Sequence, residues 1–165
     1  MSYLIDTNVI FELSRPKPAA AVMTWFEEVA DDALHLSVLT LGELRRGVER
    51  LPMGKRREKL RYWLEHELPE WFGDRLLPVD AAVADTWGRL QATAERTLPA
   101  IDSLLAATAL NHHLRLVTRN TSDFEVDGIE TVNPWAKGGC LSTGRPVVRK
   151  NSIAVSSVAS VRYAR

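Results

Sequence analysis

Apolar and polar positions follow one another in short blocks whose period keeps changing, and the changes mark strands alternating with helices. Tyr3 to Ile5 is an apolar run ending at Asp6 and predicts a buried strand that hands over to a helix around Asn8 to Leu13. Arg15-Pro16-Lys17-Pro18 interrupts that helix, because proline disfavours helical geometry in the residue before it. Ala19 to Ala30 has helical spacing through Val22, Trp25, Phe26 and Val29; Leu34 to Leu39 reads as a second strand, and helix resumes at about Thr40. Leu60, Trp63, Leu64 and Leu68 predict one long amphipathic helix between Gly54 and Trp71. Leu76 to Val79 reads as a third strand, Ala81 to Arg96 as helix, and Pro99 sits where proline can open the next helix, through Leu110. Leu114 to Thr118 and Ile129 to Val132 complete about five short strands.

Strands separated by helices need crossover connections, so the expected fold class is α/β: one domain with a central, mostly parallel sheet covered by helices on both faces. Ligands of such sheets bind in the crevice outside the carboxyl ends of the strands. The periodic pattern ends after Trp135, which divides the chain into a folded domain over residues 1–136 and a basic tail over 137–165, expected to be flexible with at most a short strand near Ser152 to Val161.

Composition narrows the class. A chain of 165 residues with 45% hydrophobic and 25% charged residues can bury a core without staples, and it is neither a coiled-coil rod nor disordered throughout. No apolar stretch approaches the roughly 20 residues of a membrane span, and the amino terminus lacks the pattern of a secretory signal. The single cysteine, Cys140, cannot form an internal disulfide, so a cytosolic protein without membrane attachment is expected. The 21 basic and 21 acidic residues balance, but six of the basic ones lie beyond residue 136 with no acid among them; residues 1–136 therefore carry 15 basic and 21 acidic residues, a net of −6. An acidic body opposes a phosphate-bearing partner unless its acids are gathered to hold cations.

Four acids stand where that can happen. Asp6 follows the first strand, Glu43 lies in Thr40-Leu41-Gly42-Glu43, Asp102 sits among apolar residues at a helix entry, and Asp123 follows the strand ending at Thr118. Each also has a structural explanation: a helix cap for Asp6, a capping box for Thr40 and Glu43, a macrodipole partner for Asp102, an Asx-turn for Asp123. Independent caps need not converge on one sheet edge, and clustered carboxylates repel unless a cation lies between them. All-oxygen ligands suit Mg2+ or Mn2+, which can activate water for phosphodiester hydrolysis. In that reading Asp6 and Asp102 ligate directly, while Glu43 and Asp123 ligate a second ion, act through water, or position the attacking water.

The segments YLIDTNVIFEL, LSVLTLGELRRGVERL, PAIDSLLAATAL, LVTRNTSDF and IETVNPW, spanning residues 3 to 135, resemble in kind and order the PIN-domain nucleases, in particular the VapC/FitB-like toxins of bacterial toxin–antitoxin pairs. The resemblance implies a Mg2+- or Mn2+-dependent ribonuclease acting on RNA, homodimerisation, and inhibition by a small cognate antitoxin. Carried over by motif, the acidic site is Asp6, Glu43, Asp102 and Asp123, with Asn8 and Thr118 ordering it. The family's apolar grooves on its early helices make Trp25, Phe26, Leu60 and Trp63 candidate antitoxin contacts.

Arg45, Arg46 and Arg50 follow Glu43 on its helix and Arg119 precedes Asp123; Arg46 and Arg119 are the candidate phosphate contacts, against the plainer reading of a solvated helix face. The four histidines show no ligand spacing beside the acids, and the tryptophans recur at core-forming intervals. Two competing readings remain: an α/β phosphatase with Asp6 as nucleophile, which lacks a second acid because Asn8 occupies that place, and a non-catalytic interaction module that keeps the acids only as caps.

Overall fold

The computed structural model describes residues 1–94 and 99–136. Strands β1 (Tyr3–Ile5), β2 (Leu34–Ser37), β3 (Leu76–Leu77), β4 (Arg115–Val117) and β5 (Thr131–Val132) form one all-parallel sheet in the order β3-β2-β1-β4-β5. Helices α1 (Thr7–Leu13) and α2 (Ala20–Glu28) connect β1 to β2; α3 (Val38–Glu49), α4 (Lys55–Tyr62) and α5 (Leu68–Phe72) connect β2 to β3; α6 (Ala81–Thr93) and α7 (Ala100–Asn111) lie between β3 and β4. The chain thus builds outward from β1 to β3, returns across the sheet, and adds β4 on the other side of β1. Strand order reverses between β1 and β4, and that reversal opens a crevice at their carboxyl ends.

Side chains alternate across the strands and supply two cores. Tyr3, Ile5, Leu34, Leu36 and Val117 face a cluster with Val9, Ile10, Val22, Trp25, Phe26, Leu44, Leu60, Trp63 and Leu68, so α1 to α5 cover that side. Leu4, Leu77 and Leu116 face the opposite way and pack with Leu90, Leu105, Ala106 and Ala109 of α6 and α7, and with Phe124. A sheet buried on both faces explains why its strands are continuous apolar runs rather than alternating ones.

The expected elements occur, with altered limits. The second strand ends at Ser37, and α3 begins at Val38 rather than near Thr40: Ser37 is the N-cap, its hydroxyl accepting from the Leu39 amide at 3.2 Å. The capping box assigned to Thr40 and Glu43 is therefore absent; Thr40 lies inside the first turn, fully buried. The long helix expected between Gly54 and Trp71 is present as one unbroken helical run, made of α4, a π-helical turn at Trp63–Glu67, and α5. A π turn widens the helix by one residue per turn, which lets Leu60, Trp63, Leu64, Leu68, Trp71 and Phe72 all reach the core. Helix α6 is described to Thr93. Arg96 and the basic tail from Lys137 lie outside the described residues.

The proposed antitoxin contacts are corrected by burial. Trp25, Phe26, Leu60 and Trp63 are each at most 2% exposed, and Trp25 makes edge contacts with Tyr3 and Phe26. They hold α2 and α4 to the sheet and offer no surface. No helix among the described residues is long and apolar enough to cross a membrane.

Candidate functional site

The crevice between β1 and β4 is built from the residues that end those two strands. Asp6 extends β1 by one residue, its amide donating to the Val117 carbonyl at 3.0 Å, and it is also the N-cap of α1. Its carboxylate is held from three sides: Oδ1 accepts from the Thr7 amide at 2.6 Å, and Oδ2 accepts from Asn8 Nδ2 and from the Thr118 hydroxyl, both at 2.6 Å. Thr118, fully buried at the end of β4, accepts in turn from Asn8 Nδ2 and from the Asn120 amide, each at 3.1 Å. The cap explanation for Asp6 is thus correct but incomplete, since a cap needs only the Thr7 contact.

Glu43 lies two turns into α3, half-buried, and its Oε2 accepts from the Thr7 hydroxyl of α1. That contact takes the place of the capping box expected from sequence. Asp102 stands in the first turn of α7, where the N-cap is Pro99 and no side chain caps the helix. It is half-buried with no hydrogen-bond partner among the described residues, so the local explanation is a favourable position in the helix field and nothing more. Asp123 is exposed in a 3-10 turn at Thr121–Phe124, its amide closing that turn on the Asn120 carbonyl at 3.2 Å.

Charge links the four. Burial pushes the Asp6 carboxyl above the ordinary carboxylate range, the hydrogen bonds from Thr118 and Thr7 draw it back, and the charges of Glu43 and Asp102 raise it again. Asp102 is raised first by burial, then by Asp123 and Glu43. Asp6 thus feels the charges of Glu43 and Asp102, and Asp102 those of Asp123 and Glu43, with burial the larger cause of both shifts. Among the described residues, no three His, Cys, Asp or Glu side chains close on a point as a ready-made metal cage. Mg2+ needs no such cage: it commonly binds through one or two carboxylates and keeps several waters. A set of oxygen donors whose repulsion a cation would relieve fits a hydrated divalent ion.

Among the arginines, Arg45 is engaged by Glu49 and Glu65, which leaves it a structural role. Arg46 is exposed on α3, one turn beyond Glu43. Arg119 follows Thr118; its amide donates to Asn8 Oδ1 at 3.1 Å and its guanidinium lies over the Trp135 ring. The basic run at Lys55 to Arg61 points elsewhere, with Arg57 and Arg61 bound to Glu49. Asn8, in the place a phosphatase would give a second acid, instead donates to Asp6. Sequence reasoning missed Thr7, although it adjoins Asp6; its partner is 36 residues away and no local signal identifies it.

Comparison with known proteins agrees with this architecture. A family model described as the PIN domain matches residues 3–128. A VapC ribonuclease of Sinorhizobium fredii is 37% identical over 135 residues, covering 80% of this chain and 96% of that protein. The toxin FitB of Neisseria gonorrhoeae is 36% identical over 135 residues, covering 80% of this chain and 97% of its own. Among solved structures, FitAcB from Neisseria gonorrhoeae superposes with a TM-score of 0.77 at 36% identity, over 82% of this chain and 99% of that one. FitAB bound to an IR36 DNA fragment gives 0.75 at 33% identity, over 82% and 96%.

Proposed function

The chain belongs to the PIN-domain family, and from that premise we propose that it is a Mg2+- or Mn2+-dependent endoribonuclease, the toxin of a toxin–antitoxin pair, hydrolysing RNA at Asp6, Glu43, Asp102 and Asp123. The observation that carries the proposal is the gathering of carboxylates at the β1–β4 crevice, where Thr7 bonds both Asp6 and Glu43, and where burial first and neighbouring acids second raise the Asp6 and Asp102 carboxyls, a cost that a bound cation would relieve. Relatives named as ribonuclease and toxin supply the reaction class.

Asp6 and Asp102 are the residues suited to hold the ion, with Glu43 and Asp123 next to them. When bound, the ion supplies positive charge against the scissile phosphate and lowers the pKa of a water. The remaining work falls to the chain. Asn8 and Thr118 fix the Asp6 carboxylate so that its orientation does not have to be reached during the reaction. Thr7 fixes Glu43, whose carboxylate would orient water or accept its proton. Arg46 and Arg119 offset the repulsion between RNA phosphates and an acidic site. The inhibitor of such a toxin is a small antitoxin protein, and a homodimer is the assembly proposed for the free protein.

Incubation of the purified protein and its Asp6→Asn variant with an RNA pool, with and without Mg2+, tests the reading. Metal-dependent internal cuts by the unmodified protein alone, mapped at their ends, are expected. Equal cutting by both proteins, or none by either in Mg2+ and Mn2+, overturns it.

A further inference from the structure

Arg119 is the one candidate phosphate contact whose surroundings hold it in place from several sides. Its main chain is pinned at both ends, the amide donating to Asn8 Oδ1 at 3.1 Å and the carbonyl accepting from Asn133 Nδ2 at 3.4 Å. The same Asn133 side chain turns its Oδ1 to the Trp135 amide at 2.9 Å, which fixes the indole relative to Arg119. The guanidinium carbon lies 5.4 Å from the centre of the Trp135 ring. Trp135 is half-buried, packed against the larger core, so the ring is a platform with rigid backing. Despite the acids nearby, Arg119 pairs with no carboxylate among the described residues; its planar donors remain available on an exposed side chain.

Asn8 joins this assembly to the carboxylates, since its amide nitrogen donates to Asp6 and to Thr118 while its oxygen accepts from Arg119. A continuous series of contacts therefore runs Asp6–Asn8–Arg119–Asn133–Trp135. A guanidinium alone on a surface is mobile, and holding it over an aromatic face reduces the freedom lost when it grips an anion. An ion pair with a neighbouring acid would hold it too, but would occupy its donors; an aromatic ring does not.

We propose that Trp135 and Asn133 are positioning residues that hold Arg119 as a phosphate-binding group for the RNA strand beside Asp6. This inference rests on the ribonuclease reading above. It adds a cationic contact at the β4–β5 end of the crevice, placed to take a phosphate flanking the cut, and it makes the Asn133-Pro134-Trp135 turn part of substrate binding rather than only the end of the fold.

The test is steady-state cleavage of a mixed-sequence single-stranded RNA in Mg2+ across a KCl series, with thermal melts of every variant. Arg119→Ala keeps both main-chain contacts, so it removes the guanidinium alone; KM should rise about tenfold with kcat within about twofold, and the salt dependence of 1/KM should lose about 0.7 in its log–log slope, the value for one contact on a single strand. Trp135→Leu preserves apolar packing without a π face and should raise KM about threefold, Trp135→Phe by less. The Arg119→Ala/Trp135→Leu double variant should be no worse than Arg119→Ala. Full additivity, or a Trp135→Leu protein with unchanged KM, overturns the inference while the ribonuclease reading stands. If Trp135→Leu does not fold, Trp135→Phe and Asn133→Ala decide, and unchanged KM in both has the same consequence. An unmodified protein that cleaves no RNA overturns both.

Discussion

Thr118 donates its hydroxyl to Asp6 Oδ2 at 2.6 Å across the point where the sheet reverses its strand order. The two residues are 112 apart in sequence, yet each is the first residue after its strand, and β1 pairs with β4 so that Ile5 lies opposite Val117. The register therefore forces Asp6 and Thr118 side by side. Thr118→Val keeps the shape and removes the hydroxyl, leaving the Asp6 carboxylate short of a donor and the Asn120 amide without its acceptor. The expected cost is about 1–3 kcal/mol at neutral pH, measured by denaturant unfolding, with weaker cleavage. Because the lost bond favours the charged carboxyl, the deficit should shrink as pH falls through the raised Asp6 pKa.

That juxtaposition was only half legible in the sequence. Apolar runs such as Tyr3–Ile5 and Leu114–Thr118 identify strands, and the helices between them require parallel pairing, so Asp6 and Asp123 could be assigned to one edge. Register and side-chain partners are non-local and leave no periodic trace. Glu43 shows the limit: Thr40 and Glu43 have capping-box spacing, but Ser37 takes the cap, and the acid turns to Thr7 on another helix. The π turn at Trp63–Glu67 was invisible because one inserted residue shifts the apolar pattern without abolishing it. Trp25, Phe26, Leu60 and Trp63 had spacing equally suited to a groove or a core, and only packing decided for the core.

Asp102→Asn should abolish cleavage and raise the stability of the metal-free protein. Burial and the charges of Asp123 and Glu43 lift this carboxyl above its usual value, so below the unfolded pKa it carries no penalty, and as pH rises through the folded pKa its ionisation destabilises the fold. The amide removes that penalty. Melting in EDTA should give a higher Tm for the variant at pH 7 and no difference near pH 3. A lower Tm at pH 7 would contradict the repulsion. Asp6→Asn should not stabilise in the same way, because its new NH2 group would face the Asn8 and Thr118 donors.

Mn2+ should raise the Tm of the unmodified protein and EDTA should reverse the rise. Binding to the folded state alone stabilises by about 2.7 kcal/mol at one hundred times the dissociation constant. The ion competes with protons for carboxylates whose pKa values are raised, so the gain should diminish toward acid pH, and it should be absent in Asp102→Asn. An equal Mn2+ shift in that variant would place the ion elsewhere.

Glu49 provides a contrast outside the crevice. Arg61 and Arg57 both donate to its carboxylate at 2.5 Å, joining α3 to α4, and these bonds bring its pKa down to about 2. A depressed carboxyl contributes stability above its unfolded pKa near 4.5, and loses it as pH falls toward 2, the reverse of Asp102. Glu49→Gln should therefore lower the Tm at pH 7, and the difference from the unmodified protein should close between pH 4.5 and 2. The side chain is one-third exposed, so added salt should shrink the effect as well. Cleavage per folded molecule should be unchanged, because Glu49 pairs with Arg45, Arg57 and Arg61 and is not among the charges that act on Asp6 or Asp102. If Glu49→Gln instead lost activity while keeping its Tm, α3 and α4 would have to transmit charge to the crevice, and Glu49 would belong with the site acids rather than the scaffold.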